Sequence, residues 1–178
     1  MTTLHMAATD FLAQRRIAVA GVSASRELPG SNIYKRFKDR GYQVFAVNPH
    51  AERVHGEPCY PDLKSIPGGV DGVVIVTRPE VTESIVRQCP EAGVSRVWIH
   101  RSMVHGSSAS AAATAFCREH GISVIDGACP LMFGKTSDLG HECMRFFMGI
   151  TGSLPRDVPI GVPAHAQRES STRPAPLT

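Results

Sequence analysis

Short apolar runs recur along the chain at intervals of about 25 residues, and this rhythm restricts the fold more than any other feature. The runs occupy residues 17–22, 43–47, 72–77, 96–100 and 122–126. In the third, Val73-Val74-Ile75-Val76 is apolar without alternation, as expected of a strand buried on both faces of a parallel sheet. Parallel neighbours need a crossover of roughly a dozen residues or more, and the intervals are long enough to supply one.

The intervening segments carry helix signals. In the first, Ser31 or Asn32 is the expected N-cap, Ile33 and Phe37 share a face, and Gly41 is the stop. The second, 51–70, holds Pro58, Pro61, Pro67 and Gly68-Gly69, and reads as a loop with only a short helix near 62–65. The third places Val81, Ile85, Cys89 and Ala92 at helical spacing, with Pro90 disturbing its last turn. The fourth, 107–120, is Ala-rich and ends at Gly121. A short helix is expected at 7–13, and a last one at 140–150 with Met144, Phe147 and Met148 toward the sheet. Beyond Thr151 prolines stand at 155, 159, 163, 174 and 176 among polar residues. The expected division is a lead-in over 1–12, one domain over 13–153, and a Pro-rich disordered tail over 154–178. The fold class is α/β: a Rossmann-like, doubly wound, mainly parallel five-stranded sheet with helices on both faces.

Charge and composition exclude several functions. The 178 residues carry a net charge of +3 with no dense Lys/Arg block, so a nucleic-acid partner is not expected. No apolar run approaches the roughly 20 residues of a membrane helix. The start of the chain lacks a basic region followed by an apolar one, so no secretory signal is read. Cysteines at 59, 89, 117, 129 and 143 are odd in number and form no C-x-x-C pair. Reduced thiols in a cytoplasmic protein are the simpler expectation.

Ligands of such sheets sit at the carboxyl ends of the strands. The first of these ends is the loop Gly21-Val22-Ser23-Ala24-Ser25-Arg26, a Gly/Ser turn between strand and helix that suits a phosphate. It contains neither G-x-G-x-x-G nor G-x-x-x-x-G-K-[ST]. A nicotinamide cofactor also asks for an acid at the tip of the second strand, where this chain has Asn48-Pro49. Coenzyme A asks instead for backbone N–H groups and cations. Arg26, Arg53, Arg78 and Arg101 all fall near strand tips.

These residues resemble a family. Ala20-Gly21-Val22-Ser23, Val47-Asn48-Pro49 and Val76-Thr77-Arg78-Pro79 are similar to the motifs of CoA-binding domain proteins. Those are small Rossmann-like proteins akin to the N-terminal domain of the succinyl-CoA synthetase α subunit. Residues 127–133 and 140–145 extend the resemblance, which covers about 10–153. It implies that Ser23, Ala24, Ser25 and Arg26, in the loop that Gly21 and Val22 begin, wrap the phosphates. It implies further contacts from Asn48, Pro49 and Arg53, from Thr77, Arg78 and Pro79, and from His100, Arg101 and Ser102. The implied ligand is coenzyme A or an acyl-CoA, bound without catalysis. The alternatives are an NAD(P)-binding oxidoreductase or redox sensor, and a CoA-binding subunit of an acyl-CoA ligase acting with a partner chain. Self-association is the other partner left open. The pair His141-x-Cys143 lacks a third metal ligand at recognisable spacing, so a helix-surface role is expected. Cys129 is the thiol considered for a mixed disulfide with CoA, against a structural role.

Overall fold

The computed structural model describes residues 2–23, 28–102, 106–134, 137, 139–150 and 157–158. Thr2–Thr3 (β1) precedes Leu4–Leu12 (α1), Arg16–Ala20 (β2) and Pro29–Asp39 (α2). Then come Gln43–Val47 (β3), Arg53–Val54 (β4), Glu57–Tyr60 (β5), Gly72–Ile75 (β6) and Pro79–Val86 (α3). Arg96–Ser102 (β7), Gly106–Ser107 (β8), Ala111–Glu119 (α4) and Ser123–Ala128 (β9) follow. Last are a 3-10 turn at Pro130–Met132, Leu139–Ile150 (α5) and Asp157–Val158 (β10).

β2 is the pivot of the sheet. It pairs in parallel with β3 on one side and β6 on the other. The chain first builds outward through β3 and β5, then returns across β2 to add β6, β7 and β9, all in parallel. Its direction of winding therefore reverses between β2 and β6, which is the topological switch point of the sheet. Arg16 sets the register at the opposite end. Its Nε donates to the Gly69 carbonyl (2.8 Å), Nη1 donates to Gln43 Oε1 (3.0 Å), and the guanidinium lies 4.6 Å from the Phe45 ring centroid. The Arg15 and Arg16 amides both donate to Asp71 Oδ2.

The pleat sends alternate residues to two separate cores. Ile17, Val19, Val74, Trp98 and Ile125 pack with Phe11, Ile33 and Phe37 on the α1 and α2 face. Ala18, Ala20, Val73, Ile75, Val97 and Val124 pack with Ile85, Val86 and Cys117 on the α3 and α4 face. Burial on both faces explains why the third run shows no alternation.

Among the described residues the sheet has eight strands rather than the expected five. The five expected runs are its parallel centre, and the additions are short. β4 and β5 form a hairpin inside the segment read as loop. Its two-residue turn has His55 at φ 49° and Gly56 at φ 80°, the left-handed pair that matches strand twist. Residues 62–65 form a turn, not a helix, in which Asp62 Oδ1 accepts from both the N–H and O–H of Ser65 at 2.8 Å. α3 stops at Val86, because Pro90 lacks the N–H that would bond the carbonyl at 86. Cys89 and Ala92 thus lie beyond the helix. Ser107 belongs to β8, and α4 starts later, with the Ala113 N–H donating to Ser110 Oγ at the cap. β10, in the segment read as tail, pairs antiparallel with β1 and buries Val158. The remaining expected tail residues lie outside the described ones, as do the side chains of Met144, Phe147 and Met148. No helix among the described residues is long and apolar enough to cross a membrane.

Candidate ligand-binding site

A cleft of about 640 Å³ opens at the carboxyl ends of β2, β3, β6 and β7, over the switch point. Two glycines make it. Gly21 has φ +94°, and a Cβ there would stand 2.1 Å from the Val76 carbonyl oxygen. A Cβ on Gly30 would stand 2.5 Å from the Gly21 carbonyl oxygen. Only bare backbone lets β2, β6 and the start of α2 meet this closely. Gly30 does the helix-packing work of the last glycine in a dinucleotide fingerprint, after a longer loop. That separation is why the motif is absent from the sequence.

Polar side chains then tie the loop down. Ser31 is not the N-cap of α2. Pro29 opens the helix with its fixed φ, and Leu28 is the cap residue without a side-chain bond. Fully buried Ser31 instead accepts the Ser23 N–H (3.3 Å) and donates to the Ser23 carbonyl (3.4 Å). Asn48 staples two loops: its Nδ2 donates to the Val22 carbonyl and its Oδ1 accepts the His50 N–H, both at 2.9 Å. A carboxylate at 48 has no proton to give Val22, so the loop's own geometry selects the amide.

The far wall comes from α3. Arg78 is its N-cap residue and Pro79 its first helical residue. Thr77 and buried Thr82 lie 3.0 Å apart through their hydroxyls. Val81, Ser84 and Ile85 present one helical face to the cleft; Gln88, past the end of the helix, joins the lining, and its Oε1 accepts the Leu63 N–H at 3.1 Å. His100, 4% exposed, closes the end with Ser107 and Ser108.

Of the residues expected at the site, Gly21, Val22, Ser23, Asn48, Pro49, Thr77, Arg78, Pro79 and His100 line the cleft. Arg53 and Arg101 do not. The Arg53 guanidinium donates to the Gly56 carbonyl within the hairpin, and Arg101 is exposed where β7 pairs with β8. Ala24, Ser25 and Arg26 lie outside the described residues, as does the side chain of Ser102. Sequence reasoning missed Leu28, Pro29, Gly30, His50, Pro61 and the α3 face. The face is visible as the spacing 81, 84, 85, which is equally the spacing of a core stripe.

The lining has a chemical bias. It contains no Asp or Glu among the described residues, and Arg78 is its one arginine or lysine. Leu28 (42% exposed) and Val81 (37%) leave apolar surface at the flanks. The α2 and α3 N-termini both open here, bringing the positive ends of two helix dipoles. The arrangement suits an elongated anion with apolar parts. No metal-binding group of three or more His, Cys, Asp or Glu occurs among the described residues.

Cys129 is not in the lining. It is 6% exposed and packs with Leu131, Met132 and Phe133 in the α1-side core. Cys89 and Cys117 are fully buried, and Cys143 is exposed. Burial pushes the Cys117 thiol up to about 12 and the Cys89 thiol up strongly. Native protein at mildly alkaline pH should therefore give rapid maleimide labelling at Cys143. Cys89 and Cys117 should label only after denaturation, as read by peptide mass mapping.

A doubly wound α/β domain with a cleft at its switch point is a Rossmann-like fold, here with no Asp or Glu among the described lining residues. The chain belongs to the CoA binding domain family, whose model matches residues 15–135. It is similar to the alpha subunit of acetate–CoA ligase (ADP-forming) II from Pyrococcus furiosus, 36% identical over 90 residues, covering 50% of this chain and 20% of that subunit. An acetate–CoA ligase (ADP-forming) II from Archaeoglobus fulgidus is 29% identical over 87 residues, 13% of its length. The chain thus spans a fifth or less of these two curated ligases. YneT of Bacillus subtilis matches at 27% identity over 115 residues, 65% of this chain and 82% of YneT. Among solved structures, a hypothetical protein from Pyrococcus horikoshii superposes with TM-score 0.65 at 26% identity, covering 74% of this chain and 88% of the other.

Proposed function

We propose that this chain binds coenzyme A or an acyl-CoA in the switch-point cleft and does no covalent chemistry on it. The observation that carries the reading is the paired close approach at Gly21 and Gly30, which brings the ends of β2 and β6 and the start of α2 together at a cleft with no Asp or Glu among its described lining residues. The loop from Gly21 to Ser23 and the N-terminus of α2 meet the pyrophosphate; the family resemblance adds Ala24, Ser25 and Arg26, which lie outside the described residues. Thr77, Pro79, His100 and the exposed flanks of Leu28 and Val81 shape the remainder. Arg53 and Arg101 lie outside the lining and receive no role. The Asn48 staple argues against NAD in the oxidoreductase alternative, since the acid that holds a free ribose diol has no place there.

Isothermal titration with CoA, acetyl-CoA, NAD and NADP tests this. CoA and acetyl-CoA should bind at least about tenfold more tightly than NAD, a difference of roughly 1.4 kcal/mol. Tight NAD binding with no heat from CoA contradicts the reading. Similarity to a ligase alpha subunit favours one further step, in which the CoA-loaded chain serves a partner carrying the rest of a ligase. Co-purification that returns only this chain counts against that step.

A further inference from the structure

We propose that Arg78 makes the cleft selective for a ribose carrying a phosphate monoester. The inference rests on the reading that the cleft holds a nucleotide, and it adds which feature of the nucleotide is recognised. Two facts carry it, one at the β3 tip and one just past β6, on the other side of β2. First, Asn48 stands where a ribose diol needs a carboxylate, and both ends of its amide are engaged, with the Val22 carbonyl and the His50 N–H. In doubly wound domains an acid there accepts from free ribose hydroxyls, whereas a nearby arginine accommodates a ribose phosphate. Second, Arg78 is the one arginine among the described lining residues. Its side chain is exposed, and among the described residues the guanidinium has no ion pair or hydrogen bond.

Neither acid on its helix forms an ion pair with it. Glu83, on the same helix, accepts the Ser110 hydroxyl at 2.6 Å, and Glu80 is not in the lining. The backbone at Arg78 is also fixed, because its carbonyl accepts the Thr82 hydroxyl and the Thr82 N–H. The guanidinium therefore swings from a rigid base at the rim of the cleft. Arg78 follows the end of β6, the strand paired with β2, and so shares the cleft with the Gly21 loop. A guanidinium meets a dianionic phosphate with two parallel N–H bonds, which a pyrophosphate oxygen carrying one charge matches less well.

Titrations of CoA, dephospho-CoA, NADP and NAD into wild type, Arg78→Ala and Arg78→Lys test the assignment. The wild type should prefer CoA over dephospho-CoA by about tenfold to a hundredfold, the scale of a charge-assisted bond. Arg78→Ala should remove that preference and leave dephospho-CoA within about twofold of wild type, and Arg78→Lys should restore part of it. Unchanged melting temperatures should accompany both variants, as expected for an exposed side chain. Equal wild-type affinity for CoA and dephospho-CoA overturns the assignment, and so does an equal loss of both in Arg78→Ala. A preference for NADP over NAD that Arg78→Ala abolishes, without CoA binding, supports the phosphate assignment and overturns the CoA reading. Binding of none of the four overturns both.

Discussion

Replacing Gly21 with alanine is expected to destabilise the protein by about 3–5 kcal/mol and to remove CoA binding. The left-handed backbone at φ +94° costs an L-residue about 1–2 kcal/mol. The larger part is steric, since the new methyl would lie 2.1 Å from the Val76 carbonyl oxygen. That carbonyl has little freedom, because the Val76 N–H is itself bonded to the Ala20 carbonyl at 2.9 Å. β6 must move away from β2 at the point where the cleft begins. A melt followed by circular dichroism should fall by about 10 °C, given roughly 2–4 °C per kcal/mol at this chain length. Gly41→Ala is the control. Its φ of +82° carries the same backbone cost, but nothing lies within 4 Å of the added methyl. It should lose only about 1–2 kcal/mol and keep its ligand affinity.

Trp98→Ala is expected to cost about as much stability, roughly 3–5 kcal/mol, with a different functional result. Trp98 is fully buried on β7. It meets Phe11 edge-on at 5.3 Å and Phe133 at 5.6 Å, and its Nε1 donates to the Ala128 carbonyl at 2.9 Å. Its side chain lies in the α1-side core and is not in the cleft lining. Urea unfolding should show the loss, while the folded fraction should bind CoA within about threefold of wild type, a shift of under 1 kcal/mol. Trp98→Phe keeps a ring but leaves the Ala128 carbonyl unpaired, and should lose about 1–3 kcal/mol. Comparing this pair with Gly21→Ala separates the residues that hold the sheet together from those that shape its rim.

The parallel centre of the sheet was legible because burial on both faces leaves runs such as Val73 to Val76 with no polar interruption. The hairpin of β4 and β5 was not. Its turn is His55-Gly56 rather than an Asn-Gly or Asp-Gly pair, and Pro58 lies in the strand. The strand-tip loops were legible as candidates from the order of strand, Gly/Ser turn and helix. Sequence could not divide the arginines between them. Arg53 is drawn into its hairpin by the Gly56 carbonyl, Arg101 follows the extended β7, and Arg78 is left at the rim. Nor could it reveal Gly30, whose part depends on how near α2 comes to the Gly21 carbonyl. Ser31 looked like a cap because serine often is one. Pro29 took the helix start, and the hydroxyl was left to pin the loop.

The central claim is that CoA occupies the cleft over the β2–β6 switch point. Backbone amide shift mapping during a CoA titration tests it most directly. The account predicts that the largest shifts fall on Gly21, Ser23, Gly30, Thr77 and Arg78. Shifts gathered instead at the amino ends of the strands, around Arg15, Gln43 and Asp71, would contradict it, as would a spectrum that CoA leaves unchanged.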